Sequence, residues 1–381
     1  MYLRQRTKRI LFVLILLGAV AAGLTFSGIG ARAVEAARVL AEVMAVGQYP
    51  SGTPLPREKV SYIIDGTPYV ADLYRPATSA KAAVVFAPGA DQSGGDDPMF
   101  VGFAEALARA GFLVLAPENP QTRNLMVGPE DAVRLAAAVA FLSQDAQVSQ
   151  VGVIAVSYAV GPAVLAALRP EIKDKVRFIL GIGGYYDLTA LLTYFTTGNF
   201  REDAGDPWRW QETNTYGKWM FVHANASRLE NLSDRTTLMA VALRKMKNRD
   251  AEVQDLMDLL GPEGWSVINL IENGDPDRVG ELRGKLPATI QNALDGLDLA
   301  RHDLTALSAK LILVHGRMDP IIPYTESLSL AQAAALTPSR VFLVDNLAHA
   351  KLSPAGLLDG AVLWAAVYAL LSERDALRVG G

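Results

Sequence analysis

Short apolar segments alternate with segments of helical periodicity along most of this chain, and this alternation is the strongest constraint on its fold. Residues 81–87 and 151–156 are almost wholly apolar, as expected for strands whose sheet carries helices on both faces. Strands separated by helices form right-handed crossovers and pair in parallel. The pattern therefore predicts an α/β fold built on a mostly parallel, doubly wound sheet.

The predicted elements follow from apolar runs and from the residues that end them. The pair Asp65-Gly66 predicts a β-hairpin between the first two strands. Predicted strands cover residues 60–64, 69–74, 81–87, 112–116, 151–156, 176–182, 310–314 and 340–344. Predicted helices cover residues 98–110, 129–142, 157–168, 326–336 and 354–371.

Residues 185–308 interrupt this alternation and contain no clear strand pattern. Helical periodicity is visible at 234–247 and 251–260. A structureless loop of this length would be unusual in a compact protein, so we expect a helical insertion that covers the carboxyl ends of the strands. The interruption divides the predicted core into residues 59–184 and 309–381.

The N-terminus has the features of a membrane-targeting segment. Four basic residues lie among the first nine, and residues 10–30 carry no charge, which is long enough to span a bilayer. This favours an uncleaved N-terminal hydrophobic helix, a membrane anchor within residues 1–30, followed by a helix and linker over residues 31–58. A cleaved signal is the alternative, because Ala31-Arg32-Ala33 has the form of a cleavage site. Both interpretations place the remaining chain on the extracytoplasmic side, either anchored or secreted or periplasmic.

Composition excludes several kinds of function. The chain has 36 basic and 40 acidic residues, which argues against a nucleic-acid partner bound through bulk positive charge. It has no cysteine, and therefore no thiolate nucleophile, disulfide or cysteine-ligated metal. Asp91, Asp96 and Asp97 are better explained by helix capping and solvation than by a cation site. We expect no metal and no cofactor.

Ser157 is the candidate nucleophile. It follows the apolar strand Val151–Val156 directly and precedes a helical segment, so its hydroxyl is expected above the carboxyl edge of the sheet. Such a sharp turn requires small neighbours, which Ala155 and Ala159 supply. The alternative is that Ser157 only caps its helix.

A serine hydroxyl needs a base, and the base needs a carboxylate to orient it. His349, one of four histidines, follows the last predicted strand, whereas His315 at a strand end is closer to a structural role. Asp319, in the loop HGRMDPIIP, is the predicted acid, although it could also organise only an Asp-Pro turn. Asp187 is the alternative acid, but we interpret it as the N-cap of a helix over residues 188–194.

Ser157, Asp319 and His349 occur in the chain order of the α/β-hydrolase family, which residues 59–184 and 309–372 resemble. Within that family the chain is most similar to bacterial serine esterases and dienelactone-hydrolase-like proteins with a helical cap. Dienelactone hydrolases use cysteine, which is absent here, and members with aspartate at this turn are excluded by Ser157. The sequence Ala155-Val156-Ser157-Tyr158-Ala159 departs from the family's G-x-S-x-G pattern.

The resemblance implies an oxyanion hole and an activity. The backbone N–H groups would belong to Tyr158 and to Gly89 or Ala90, since Pro88 has none. The implied enzyme is a carboxylesterase-like hydrolase that cleaves a small or medium-sized ester through an acyl-enzyme. Its only expected partners are a small-molecule ester substrate and, through the N-terminal helix, a membrane.

Two alternatives to ester hydrolysis remain from the sequence. One is other acyl-transfer chemistry, in a thioesterase, peptidase or acyltransferase, because one triad serves all of these. The other is a catalytically silent, membrane-tethered binding protein of the same fold. Aromatic residues of the insertion are expected either to line an acyl pocket or to pack in the insertion's own core; those named for the pocket are Tyr194, Trp208 and Trp219.

Overall fold

A computed structural model describes residues 28–45, 54–90, 92–146, 149–345, 347–348, 351–352 and 357–377. Strands and helices alternate through this part of the chain as the sequence predicts. All eight predicted strands are confirmed, with ends that differ by at most three residues. The strands are β1 (Arg57–Ile64), β2 (Thr67–Tyr74), β3 (Ala82–Ala87), β4 (Phe112–Pro117), β5 (Val151–Val156), β6 (Val176–Ile182), β7 (Asn199–Phe200), β8 (Arg209–Trp210), β9 (Lys310–Gly316), β10 (Ser339–Val344), β11 (Leu347–Ala348) and β12 (Lys351–Leu352).

The helices lie before, between and after these strands. Helix α5 is preceded by a turn of 3-10 helix at Ser157–Ala159. The helices are α1 (Gly28–Ala45), α2 (Pro98–Arg109), α3 (Pro120–Arg123), α4 (Glu130–Asp145), α5 (Val160–Ala167), α6 (Leu188–Thr197), α7 (Tyr216–Ala226), α8 (Leu232–Lys247), α9 (Gln254–Met257), α10 (Pro262–Ile271), α11 (Val279–Gly284), α12 (Ala288–Leu297), α13 (Thr325–Ala333) and α14 (Leu357–Ala376).

The main sheet has eight strands in the order β1-β2-β4-β3-β5-β6-β9-β10. Strand β2 pairs antiparallel with β1 and with β4, and every other pairing in this sheet is parallel. The predicted hairpin joins β1 to β2, and both Asp65 and Gly66 have the positive φ that such a two-residue turn requires, 49° and 78°. The prediction of a mostly parallel α/β sheet is confirmed.

Helices cover both faces of the sheet, because alternate strand residues point to opposite sides. Val85 and Val153 belong to a core shared with α4, α5 and the helices that follow β6. Phe86 and Ile154 belong to a second core shared with α1, α2 and α14. The carboxyl ends of the parallel strands therefore lie between two helical layers.

Seven helices, α6 to α12, and the short pair β7–β8 lie between β6 and β9 in the described chain. The predicted helix at 234–247 is confirmed as α8. The longer helix predicted at 251–260 is wrong, since only Gln254–Met257 is helical. Val253 and Leu260 are both buried, so turns satisfy the apolar spacing that suggested a continuous helix.

The N-terminal targeting segment lies almost entirely outside the described residues, which begin at residue 28. The anchor or signal over residues 1–30, the extracytoplasmic location and much of the linker therefore stay predictions. Among the described helices, none combines the length and apolar character needed to cross a bilayer.

Helix α1 is packed onto the core rather than separated from it. The buried guanidinium of Arg374 on α14 is paired with Glu35, with 2.7 Å between Nη2 and Oε2. Arg32 is paired with Asp375, again at 2.7 Å. The Trp364 indole donates a hydrogen bond to the Ala33 carbonyl at 2.9 Å. These contacts fix α1 against the last helix of the fold.

A buried carboxyl group joins the start of the insertion to α13. Glu326 is 2% exposed, and its Oε2 accepts hydrogen bonds from the backbone N–H groups of Tyr186 and Asp187, both at 2.8 Å. Burial raises the pKa of Glu326 to about 8, even though these bonds favour the charged form. The folded chain thus retains a proton that the unfolded chain releases near pH 4.5.

We predict that this proton makes the protein less stable as the pH rises from about 5 to about 8. The unfolded state binds fewer protons over that range, so the free energy of unfolding falls, on the order of 2–4 kcal/mol for this group. Glu326→Gln keeps an oxygen acceptor and removes the titration, so its urea-unfolding free energy should change less between pH 5 and pH 8.

Glu263 supplies a matched control for this measurement. It also accepts two backbone N–H bonds, from Glu230 and Asn231, but lies at a more exposed position. Glu263→Gln should leave the pH dependence of the parent protein unchanged. Equal pH dependence in the parent and Glu326→Gln proteins would contradict the assignment.

Candidate active site

Ser157 lies at a strained turn at the carboxyl end of β5. Strand β5 ends at Val156, and Ser157 has a φ of 55°, in the left-handed region that residues with a side chain seldom adopt. Such a conformation costs of order 1–3 kcal/mol and persists only where the surroundings enforce it. The predicted sharp turn between strand and helix is present in the structure.

Glycines on the neighbouring strand make room for this turn. Ala155 pairs with Gly181 on β6, and both Ala155 and Ala159 are buried. A Cβ atom at Gly184 would lie 2.5 Å from the Cβ of Val160, and one at Gly181 would lie 3.1 Å from its Cγ1. The departure from G-x-S-x-G is therefore accommodated by small residues on β6.

The loop after β3 approaches Ser157 closely. A Cβ atom at Gly89 would lie 3.3 Å from the Cβ of Ser157 and 3.4 Å from the carbonyl oxygen of Val156. Gly89 and Ala90 share a cavity wall with Ser157 and Tyr158. The backbone segments predicted to supply oxyanion donors thus lie beside the candidate nucleophile.

The side chain of Tyr158 is held by a buried polar network that sequence analysis missed. Its hydroxyl donates to Oδ2 of Asp131 at 2.7 Å, and the amide of Asn119 donates to Oδ1 at 2.6 Å. Burial raises the pKa of Tyr158 and the pKa of Asp131. The network fixes the residue whose backbone N–H follows Ser157. The 27 residues between Tyr158 and Asp131 explain why no local pattern indicated it.

Asp319 is buried in the loop after β9, with 1% of its surface exposed. Its Oδ1 accepts hydrogen bonds from the backbone N–H groups of Ile321 and Ile322 at 2.8 and 3.0 Å. Its carbonyl oxygen accepts from the hydroxyl of Tyr194 at 2.6 Å and from the amide of Gln211 at 3.1 Å. The insertion and the loop itself therefore fix the orientation of this carboxylate.

His315 is part of the scaffold below Asp319. It is fully buried, with Nε2 at 2.9 Å from the carbonyl oxygen of Ile322 and Nδ1 at 2.7 Å from Oγ of Ser327. A carbonyl can only accept, so Nε2 carries the proton in the neutral ring and Nδ1 accepts from the serine. Nε2 lies 3.6 Å from Oδ2 of Asp319. The predicted structural role of His315 agrees with these contacts.

Asp187 caps a helix, as predicted. Its Oδ1 accepts from the backbone N–H groups of Thr189 and Ala190 at 2.6 and 3.1 Å, at the start of α6. The predicted base, His349, lies outside the described residues. The contact that would complete a triad with Ser157 and Asp319 therefore stays a prediction.

The acidic residues near the β3 loop have structural partners. Asp96 is paired with Arg57, with 2.6 Å between the charged atoms, and also with Arg123. Asp97 accepts from two backbone N–H groups at the start of α2. Ion pairing and capping account for these two carboxylates, and Asp91 lies outside the described residues.

A cavity of about 1030 Å³ lies above the carboxyl edge of the sheet, with Ser157 in its wall. The predicted aromatic lining is wrong: Tyr194 bonds to the acid loop, Trp208 bonds to Asp277, and Trp219 is packed in the core. The aromatic side chains of the insertion that do line the cavity are Tyr185, Phe195, Tyr216 and Phe221. Helical periodicity identified these segments but did not show which face of each helix meets the cavity.

We predict that Ser157→Gly is more stable than Ser157→Ala by about 1 kcal/mol, because glycine adopts a φ of 55° without strain. Both variants lack the hydroxyl, so the comparison isolates the backbone. Chemical unfolding of the two proteins measures the difference.

Ala37→Gly, on the exposed side of α1, is the control and should lower stability by about 1 kcal/mol. A Ser157→Gly protein that is less stable than Ser157→Ala would show that the turn is not strained.

Comparison with known proteins gives similarity in solved structures only. No protein-family profile and no curated protein sequence matches the chain. A dienelactone hydrolase from Anabaena variabilis is 16% identical over 86% of this chain and 99% of its own, with a TM-score of 0.44. An esterase from Thermogutta terrifontis is 14% identical over 85% of this chain and 97% of its own, with a TM-score of 0.48.

Peptidases are also among the similar structures. A Pyrococcus horikoshii acylaminoacyl peptidase is 11% identical over 85% of this chain, with a TM-score of 0.44, and the match spans 41% of the peptidase. The solved structures similar to this chain thus include a dienelactone hydrolase and an esterase, the class of protein that its sequence resembles.

Proposed function

We propose that this protein is a serine hydrolase that cleaves carboxylic esters through an acyl-enzyme at Ser157. The observation that carries the proposal is the strained backbone of Ser157, held at φ 55° in the wall of a large cavity. Strain of this kind is retained where it positions a reactive group. The adjoining loop at Gly89 supports the same assignment, since oxyanion donors must lie beside the nucleophile.

In the proposed reaction, Oγ of Ser157 forms a bond to the ester carbonyl carbon while its proton passes to the imidazole of His349. Backbone N–H groups of Tyr158 and of Gly89 or Ala90 stabilise the oxyanion. The tetrahedral intermediate then breaks its bond to the alcohol oxygen, which takes the proton from His349. Water attacks the acyl-enzyme by the same route, releasing the carboxylic acid and restoring the serine.

Asp319 is the proposed partner of His349 because of the strand order. The Asp319 loop follows β9, which pairs with β10, and the N–H of Arg317 donates to the carbonyl of Val344 at 2.8 Å. His349 follows Val344 by five residues. Asp187 follows β6, which is separated from β10 by β9. The acid loop is thus adjacent to the segment that leads to the proposed base.

We predict that a fluorophosphonate probe labels the full-length chain and that Ser157→Ala abolishes labelling, because the probe reports an activated serine hydroxyl. Ser61→Ala, at an exposed strand position, should label like the parent protein. A panel of p-nitrophenyl esters, thioesters and peptides then separates esterase from thioesterase and peptidase activity. A folded parent protein that neither labels nor turns over any substrate would favour the silent binding protein.

We predict that Asp319→Asn lowers kcat for a p-nitrophenyl ester by about 10³–10⁴-fold. The amide oxygen can still accept from Ile321 and Ile322, so the loop is preserved while the charge that orients His349 is lost. Asp187→Asn is the matched control and should change kcat little, since asparagine is an equally good helix cap. The reverse ranking of the two variants would make Asp187 the acid.

A further inference from the structure

The cavity beside Ser157 continues beyond the nucleophile to the face of the sheet opposite the insertion. There it is walled by α1, α2 and α14, and we refer to this part as the α1 lobe. The part beneath the insertion is the insertion lobe. The α1 lobe is defined by Val39, Leu40, Val43 and Met44 of α1, with Phe103 of α2 and Val367 of α14.

The two lobes differ in chemistry. Every lining side chain that the described parts of α1, α2 and α14 contribute is apolar. The insertion lobe also has apolar walls, but Asn214, Asn225 and Arg228 line it as well. The guanidinium of Arg228 donates to the carbonyl of Ala224 at 2.7 Å and to Oδ1 of Asn225 at 3.2 Å. Polar groups are thus available on one side of Ser157, and an apolar slot lies on the other.

We propose that the α1 lobe binds the acyl chain, so that the preferred substrates are esters of long-chain carboxylic acids, of about ten carbons or more. The inference rests on the proposed ester hydrolysis at Ser157. An ester has two unequal ends, and the slot without polar groups suits the hydrocarbon end. The alcohol end then occupies the insertion lobe, where Asn214 and Arg228 offer polar contacts.

The size of the cavity agrees with a long substrate. Its volume, about 1030 Å³, is at the upper end of the range for small-molecule sites. Protein interiors otherwise pack closely, so an apolar space of this extent is characteristic of a binding site. Each additional methylene buried from water is expected to raise kcat/KM by up to about fourfold.

The wall formed by α1 is fixed to the rest of the fold. Arg374 is 2% exposed and pairs with Glu35, while Arg32 pairs with Asp375. These ion pairs lie one to two turns before Val39 on the same helix. The α1 lobe is therefore part of the folded domain.

The test measures kcat/KM of the full-length protein for p-nitrophenyl acetate, butyrate, octanoate and dodecanoate, each below its aggregation concentration. In the parent protein, kcat/KM should rise from acetate to dodecanoate by at least about 100-fold. Val43→Trp fills the α1 lobe and should lower kcat/KM for dodecanoate by at least 10-fold while leaving acetate within about twofold.

Val34→Trp is the matched control, because Val34 lies on the same helix, is 41% exposed and does not line the cavity. It should leave the whole series unchanged. Leu40→Phe provides a second blocking variant if Val43→Trp does not fold, as judged by its melting temperature.

The outcomes separate the two proposals. No Ser157-dependent turnover of any ester would overturn the proposed function. Turnover of acetate and butyrate without a gain for dodecanoate would overturn the acyl-chain inference alone. So would equal losses for short and long esters in both blocking variants.

Discussion

The backbone of Ser157 imposes the most demanding packing constraint in this fold. A residue with a side chain is held at a φ of 55° inside the core, and neighbouring backbone must come unusually close to keep it there. Gly89 approaches from β3, and Gly184 approaches from the end of β6. At Gly161, one turn further along α5, a Cβ atom would lie only 2.0 Å from the hydroxyl oxygen of Tyr185. Two strand ends and the start of the insertion are therefore fixed against one turn of backbone.

The insertion stabilises the site loops as well as covering them. Tyr194 and Gln211 bond to the carbonyl oxygen of Asp319, and the N–H of Asn214 donates to the carbonyl of Pro320 at 2.8 Å. Tyr185 reaches the last insertion helix through the carbonyl of Leu297 at 3.1 Å. Because these bonds join the insertion to the ends of β6 and β9, a change in its packing would alter the orientation of the acid loop. The insertion and the candidate active site are therefore one structural unit.

Local features of this fold were predictable from sequence, and distant pairings were not. The apolar run before Ser157 and the Asp65-Gly66 turn are determined by neighbouring residues, so the strands and the hairpin followed directly. Which insertion side chains face the cavity depends on how each helix is rotated, so Phe195 was missed in favour of its neighbour Tyr194. The pairing of Arg374 with Glu35 joins residues 339 positions apart, which no spacing pattern indicates.

That pairing also explains how an N-terminal helix comes to wall a cavity at the active site. Arg32, Glu35, Val39 and Val43 recur at intervals of three or four residues, so they lie along one side of α1. The first two are held by ion pairs to the end of α14, and the last two line the cavity. Because a helix is rigid over this length, fixing its first two turns also places the next two. The electrostatic contacts at one end of α1 thus determine the shape of the apolar slot at the other, which makes α1 part of the candidate site as well as part of the core.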